Sequence, residues 1–379
     1  MFINRLSLKQ FRNYQDACVE FKKNINIIIG NNAQGKTSLI ESIYVLSTTK
    51  SHRTSKDSQL ILFNEDFARI EADITREVDD LHLSLIISKK GKKASYNGVD
   101  QKKLSEYVGK LIVVMFAPED LSLVKGGPQY RRRFIDMEIG QLSPTYLYHL
   151  GQYSKLLKQR NELLKQLRVN RTNELLLDVI TEQLVPHAIY VLNHRIDFLR
   201  KLESFSKKVH GEISNQLEEI SLDYVNSFKN IELSEEAILQ KYKDLYDQDI
   251  QLGSTSLGPH RDDFSVSING VNTHQFGSQG QQRTASLSMK LAEIELIYSV
   301  LNEYPILLLD DVLSELDDAR QTQLLNTIKN KVQTFITTTN IDGIDENVIE
   351  LADIFTINNA KIRIGDKNDA RSIESTTTV

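Results

Sequence analysis

Cysteine is almost missing: Cys18 stands alone in 379 residues, so neither an intrachain disulfide nor a thiolate metal cluster can be built. No apolar run approaches the roughly 18 residues that a membrane span needs. The opening MFINRLSLKQFRNY mixes charge with apolar side chains and holds no signal-peptide core. Positive charge is not in excess either, since 46 Lys and Arg face 51 Asp and Glu for a net −5. Any contact with nucleic acid must therefore use a local patch. What is present is an ordinary globular balance, 40% apolar and 26% charged, which excludes disorder, collagen and a coiled-coil rod. A length prior of about 150 residues per domain suggests two or three domains. The expectation is a soluble cytoplasmic protein without a membrane partner, with Cys18 a small buried side chain.

Along the chain, INRLSL and CVEF alternate like half-buried strands, and Ile25 to Ile29 is a continuous apolar run suited to a strand buried on both faces. From Phe67 to Tyr96 alternation between apolar and charged residues, followed by Asn97-Gly98, predicts an antiparallel meander. LIVVMFAP, Leu111 to Pro118, is another buried strand. The texture changes between Arg131 and Tyr246, where three glycines and two prolines interrupt long stretches of helical period. β/α texture then returns: a hairpin at Asn269-Gly270, a long helix from Gly280, the buried strand PILLLDD, a helix from Ser314 and the strand QTFI, before a polar tail expected to fray after Gly365. The reading is one α/β domain split in sequence (1–130 and 251–379) around an inserted α-helical arm (131–250).

The sharpest motif is Gly30-Asn31-Asn32-Ala33-Gln34-Gly35-Lys36-Thr37, a full G-x-x-x-x-G-K-T between a strand and a helix. Glycines let the loop wrap with its N–H groups inward, and the helix dipole adds favourable field for phosphate. Lys36 can reach the β and γ phosphates of ATP, and the Thr37 hydroxyl can join a Mg²⁺ shell. A second buried strand ends in Asp310 and Asp311. Asp310 is the expected metal carboxylate, and Asp311 is placed to polarise the attacking water.

Gly277-Ser278-Gln279-Gly280-Gln281 precedes a long helix and resembles the signature of ABC-type ATPases, in which a Ser and a Gly at a helix start contact the γ-phosphate held by the opposite subunit. Ser314, Glu315, Leu316 and Asp317 resemble the D-loop that follows the acidic strand in that group. The strand QTFI is followed by Thr337, Thr338 and Thr339, with no histidine at the switch position, which predicts slow hydrolysis. No glutamine stands where a Q-loop is expected; Ala117 to Glu119 is the candidate segment. The 280 residues between Gly30 and Asp310 exceed a compact transporter ATPase and fit the chromosome-maintenance branch.

Together with FRNY (Phe11–Tyr14), SHRT (Ser51–Thr54), PEDLSLVKGGPQYRRRFID (Pro118–Asp136), LGPHRDD (Leu257–Asp263), SQGQQRT (Ser278–Thr284) and LLLDDVLSELD (Leu307–Asp317), the chain resembles the RecF family of bacterial DNA replication and repair proteins. That resemblance implies ATP and Mg²⁺ as cofactors, with nucleotide contacts extended to Arg12, Asn13, Gly280 and Gln281 and catalytic roles for Asp311, Lys36 and Ser278. It further implies an ATP-dependent homodimer that binds double-stranded DNA and gap junctions, a weak DNA-dependent ATPase, RecR and RecO as partners, and loading of RecA recombinase. A transporter-type ATPase subunit would instead need a compact core, and a small-molecule phosphotransferase would carry no signature.

Between Arg131 and Arg171 nine Lys or Arg stand against three acidic residues, a local +6. Lys158, Lys165 and Arg168 fall near one helical stripe suited to backbone phosphates, although charge runs are usually solvated faces. Arg131, Arg132 and Arg133 have a competing reading as braces beside the core or the nucleotide. His187 and His194, seven apart, lack a third ligand in register and are expected to pack rather than bind metal. His260 beside Asp262 and Asp263 is expected to be structural.

Overall fold

The computed structural model describes residues 1–172, 174–313, 321, 324, 331–341, 344 and 346–365. The expected D-loop (Ser314 to Asp317), most of the helix from Ser314 and the tail after Gly365 lie outside the described residues. Two compact units emerge, Met1–Asp120 with Lys290–Val379, and Leu121–Met289. The edges thus fall at 120/121 and 289/290, not at 130/131 and 250/251. Arg131 ties the carbonyls of Leu123 and Gly126 to its own helix, and strand Asp263–Ile268 pairs with Ile220–Val225, so both flanking segments belong with the insertion.

In the first unit, strand Ile25–Ile29 is buried at every position. It can be apolar throughout because parallel strands flank it on both sides, Thr334–Thr338 and Ala352–Asn358. The sheet runs Lys361–Gly365, Ala352–Asn358, Ile25–Ile29, Thr334–Thr338, Ile306–Asp310, Val113–Phe116, antiparallel only at its first pair. A second, antiparallel sheet contains the predicted meander, with Phe67–Thr75 alternating buried and half-buried positions. Its turn at Asn97-Gly98 has φ of 47° and 78°, the double positive that Asn-Gly supplies in a two-residue hairpin. Helix Lys36–Thr48 touches strands of both sheets and is buried on nearly all sides, the polar Glu41, Ser42, Ser47 and Thr48 included. Cys18, contrary to expectation, is exposed on strand Tyr14–Glu20, its Sγ accepting from Arg5 Nε at 3.1 Å. The pleat turns it away from the core because Val19, one residue on, points inward.

The second unit is mostly helical: Pro128–Leu142, Pro144–Val169 and Glu174–Ile213, followed by two shorter helices, Glu235–Asp244 and Tyr246–Leu252. It is not purely α, as Ile220–Val225 forms a three-stranded antiparallel sheet with Asp263–Ile268 and Val271–Asn272. Alternation in ISLDYV is the sequence signal for that strand, masked by the helical stretches around it. Glu174–Ile213 is long and apolar enough to cross a membrane by length and composition, with a window of mean hydropathy 1.4. Its Leu184, Val185, Ala188 and Leu192 nevertheless pack into a core with Tyr153, Phe228, Ile238 and Tyr242.

Candidate nucleotide and signature sites

Two of the loop's glycines are forced by space. A Cβ on Gly30 would sit 2.5 Å from the carbonyl oxygen of Ile357, and Gly35 combines φ +119° with side chains of Asn13 and Tyr14 about its α-carbon. Gln34 anchors the loop from behind: its Oε1 accepts from the Asn359 N–H at 2.6 Å and its carbonyl from the Ala360 N–H at 3.0 Å. Tyr14 donates its hydroxyl to the Gly35 carbonyl at 3.0 Å. Asn31, Asn32, Ala33, Gly35, Lys36 and Thr37 then line a cavity of about 1140 Å³. Lys36 is 4% exposed and folds onto the loop, its Nζ donating to the Gly30 carbonyl at 2.5 Å. Burial lowers its pKa, while the charges of Asp311 and Asp310 act to raise it.

The parallel register pairs Asp310 with Thr337, and this brings the switch-position hydroxyl onto the carboxylates. Thr337 Oγ1 donates to Asp310 Oδ1 at 2.8 Å and accepts from the Asp311 N–H at 2.9 Å. Thr37 Oγ1 donates to the same Asp310 oxygen at 3.0 Å. Thr337 is 1% exposed and does not line the cavity. It braces the acidic pair. Burial pushes the Asp310 carboxyl up, with the neighbouring Asp311 charge adding to it against the hydroxyl bonds. Asp311 itself faces the cavity with φ 54°, a left-handed conformation that Asp tolerates.

Arg12 and Asn13 both line the cavity. Asn13 Nδ2 donates to the Gln34 carbonyl at 3.4 Å. Arg12 is committed sideways, its Nε and Nη2 gripping both oxygens of the fully buried Glu41 at 2.8 and 2.6 Å. Burial pushes the Glu41 carboxyl up, but hydrogen bonds from Arg12 and Ser51 and nearby positive charge outweigh it and leave it below the usual range.

In the second unit, Ser278 caps helix Gln279–Leu301 through a reciprocal capping box. Its Oγ accepts from the Gln281 N–H at 3.2 Å, and Gln281 Oε1 accepts from the Ser278 N–H at 3.0 Å. A hydroxyl used as an acceptor keeps its own proton to donate, and Ser278 is exposed. Gly280 lies in the first turn, where backbone N–H groups lack intrahelical partners.

The family model described as the RecF/RecN/SMC N-terminal domain matches residues 2–363. A DNA replication and repair protein RecF from Geobacillus sp. (strain WCH70) is 54% identical over 368 residues, 96% of this chain and 98% of that protein. The chain belongs to the RecF family. The RecF of Bacillus thuringiensis (strain Al Hakam) is 52% identical over 96% of the chain and 98% of its own length. A solved structure of the recombination mediator protein RecF-ATPrS in the RecFOR pathway superimposes with TM-score 0.89 at 33% identity, covering 96% of this chain and 98% of that one. The Smc head domain of Pyrococcus furiosus, at TM-score 0.54 and 17% identity over 99% and 98% of the two chains, shares the fold. The ABC-type ATPase head with an inserted arm is therefore the architecture of this RecF family member.

Its central family motif is a set of internal braces. Arg131 pairs with Asp263 through two bonds of 2.6 and 2.8 Å, and Arg132 donates to the Asp262 carbonyl at 2.7 Å. His260 sits between the Tyr153 hydroxyl at 2.6 Å and the Thr255 carbonyl at 3.1 Å, its pKa lowered to about 4 by burial. His187 faces His149, at 2.9 Å between their Nδ1 atoms, while His194 meets the Tyr190 carbonyl. Among the described residues no group of three or more His, Cys, Asp or Glu is arranged to hold a metal ion. The basic arm is thinner than its count of nine. Arg160 is fully buried against Asp249 at 2.7 Å and Arg131 is spent on Asp263. Lys158, Lys165 and Arg168 are all exposed on helix Pro144–Val169, with Lys165 bridged to Glu162 at 3.0 Å. Sequence reasoning misses the cavity wall from Ser58 to Glu65 and Lys89. That wall mixes Ser58, Asn64 and Glu65 with the apolar Ile61, Leu62 and Phe63; its meeting with the P-loop is tertiary, and only the SHRT landmark nearby hints at it.

Proposed function

We propose that this chain is an ATP-driven DNA clamp of recombinational repair and replication restart, acting in the cytoplasm in the RecFOR pathway. The observation carrying this reading is the coexistence of a complete phosphate loop beside two carboxylates with an exposed, capped signature serine. Lys36 and the loop N–H groups hold the triphosphate of ATP. Asp311 polarises the attacking water. Ser278 and Gly280 of one subunit close on the nucleotide held by the other, so that ATP becomes part of a homodimer interface.

Mg²⁺ fits the Thr37–Asp310 pair: two oxygens 3.0 Å apart match the spacing of about 3 Å between neighbouring ligands of an octahedral ion with bonds near 2.1 Å. When bound, it would neutralise charge on the β and γ phosphates. Without an imidazole at the switch position, hydrolysis is slow and serves as a timer for release. RecR and RecO are the protein partners, and delivery of RecA to single-stranded gaps is the outcome. Relatives more than half identical over nearly the whole length support this above a transporter subunit or a phosphotransferase.

Anisotropy of labelled duplex and gapped DNA with ATP, with ADP and without nucleotide tests the clamp: tight binding is expected with ATP alone, and equal affinity in all three states would reject it. The arm stripe has its own test. Changing Lys158, Lys165 and Arg168 to Gln should weaken binding to every sequence alike and flatten the log–log salt dependence by about 0.9 per lost phosphate contact. An unchanged slope returns the stripe to a solvated helix face.

A further inference from the structure

Behind the signature serine lies a side-chain relay that the clamp reading does not use. Gln281 spends its amide oxygen on the Ser278 N–H, and its amide nitrogen donates to Glu218 Oε1 at 2.8 Å. Glu218 lies in the turn between helix Glu174–Ile213 and strand Ile220–Val225. Its other oxygen, Oε2, stands 3.4 Å from Nε2 of His210, which is fully buried on the last turn of that helix. His210 Nδ1 in turn meets Ser288 Oγ at 3.0 Å, on the helix that Ser278 caps. Glu218 therefore touches the far end of the one amide that sets the serine's capping geometry. The turn is held firmly, since the Ser214 hydroxyl accepts from the Glu218 N–H at 3.3 Å and the Asn269 side chain accepts from the Glu219 N–H at 2.8 Å.

We propose that Glu218 is a positioning residue for the signature: it fixes the Gln281 amide, so that the proton of the Ser278 hydroxyl points outward, and it ties that geometry to the base of the long arm helix. An amide with one end unheld can flip or rotate, and the N–H of Ser278 then loses its partner. A hydrogen bond to an ionised acceptor is stronger than a neutral one, which suits a carboxylate to this task. The inference rests on the proposed sandwich dimer, and the two fail differently.

The test compares Glu218→Ala, Glu218→Gln and Ser278→Arg in the full-length chain. ATP affinity is measured under conditions that keep the protein monomeric, and ATP-dependent dimerisation is measured by light scattering across protein concentration. Glu218→Ala should raise the dimer dissociation constant about tenfold while monomer ATP affinity and melting temperature stay at wild type. Glu218→Gln, which keeps an acceptor oxygen for the Gln281 amide, should remain within about threefold. Ser278→Arg should bind ATP and not dimerise, because a bulky cation intrudes where the γ-phosphate docks. If Ser278→Arg is blocked but Glu218→Ala dimerises normally, the positioning role is wrong and the sandwich stands. If Glu218→Ala loses monomer ATP affinity or melts early, its role is merely structural and the proposal falls. If Ser278→Arg dimerises like wild type, the sandwich falls and Glu218 has no signature to position.

Discussion

Lys36→Ala is expected to lower ATP affinity on the order of 10²–10⁴-fold, the loss of two charge-assisted hydrogen bonds at about 1.5–3 kcal/mol each. Among the cavity's lining cations, Arg12 and Arg53 pair with Glu41, and Lys89 lies 3.1 Å from Asp66. Lys36 is the one already inside the loop, where burial lowers its pKa and favours any anion that repays its charge. Its bond to the Gly30 carbonyl uses one of three ammonium donors, and that carbonyl is left without this donor in the alanine variant. Lys36→Met also lacks the donor but keeps the apolar stem, and so separates loss of the ammonium from loss of stem packing. Both variants should lose a fluorescent nucleotide alike if the ammonium is what matters. Wild-type affinity in either, with the melting temperature unchanged, would remove the phosphate loop from the mechanism.

Asp311→Asn should act at the opposite end of the cycle, lowering the hydrolysis rate by about 10²–10⁴-fold, the range of a positioned general base, while ATP still binds. The backbone accepts this change. Asp311 has φ 54°, where Asn is at least as comfortable as Asp, and its N–H bond to Thr337 does not involve the side chain. Asp310 keeps both hydroxyl donors. The variant should accumulate as an ATP-bound dimer and dissociate from DNA more slowly than wild type. Light scattering reads the dimer, and phosphate release reads the chemistry. Hydrolysis at the normal rate would mean that Asp311 is not the polarising group.

Features written in short-range order are legible in the amino-acid sequence itself. The buried run Ile25 to Ile29, the phosphate-loop motif, the acidic strand end and the Asn-Gly turns can each be recognised from residues a few positions apart, and each stands where its pattern places it. Strand pairing over long separations is not legible in that way. Thr337 has the sequence position of a phosphate sensor, but its partner in the register is Asp310, a fact set by which strands lie side by side. Arg160 counts as surface charge in the sequence, and Arg131 stays divided between surface charge and brace, because their acidic partners, Asp249 and Asp263, lie 89 and 132 residues away. The strand Ile220–Val225 is hidden for the same reason, since its partner, Asp263–Ile268, lies beyond the expected edge of the insertion. Cys18 differs from its expected burial by one step of the pleat, the smallest shift that reverses a strand residue's environment.

The phosphate loop leans on the last described strands of the chain: the carbonyl of Ile357 roofs Gly30, and Asn359 and Ala360 hold Gln34. Strand Ile25–Ile29, too, gains both neighbours only from residues beyond 333. On the ribosome this imposes an order of assembly. The loop is among the first segments made, yet its supports are among the last, whereas Leu121–Met289 is continuous and can fold while synthesis proceeds. A nascent chain that has not yet released its final strands should carry a formed arm and no nucleotide pocket. Pulse proteolysis of chains stalled before residue 330 should find the 121–289 region protected and the 25–48 region cleaved, and early protection of the loop would contradict this. The nucleotide pocket thus matures last, so a truncated product would carry the folded 121–289 unit without the phosphate loop that the proposed switch requires.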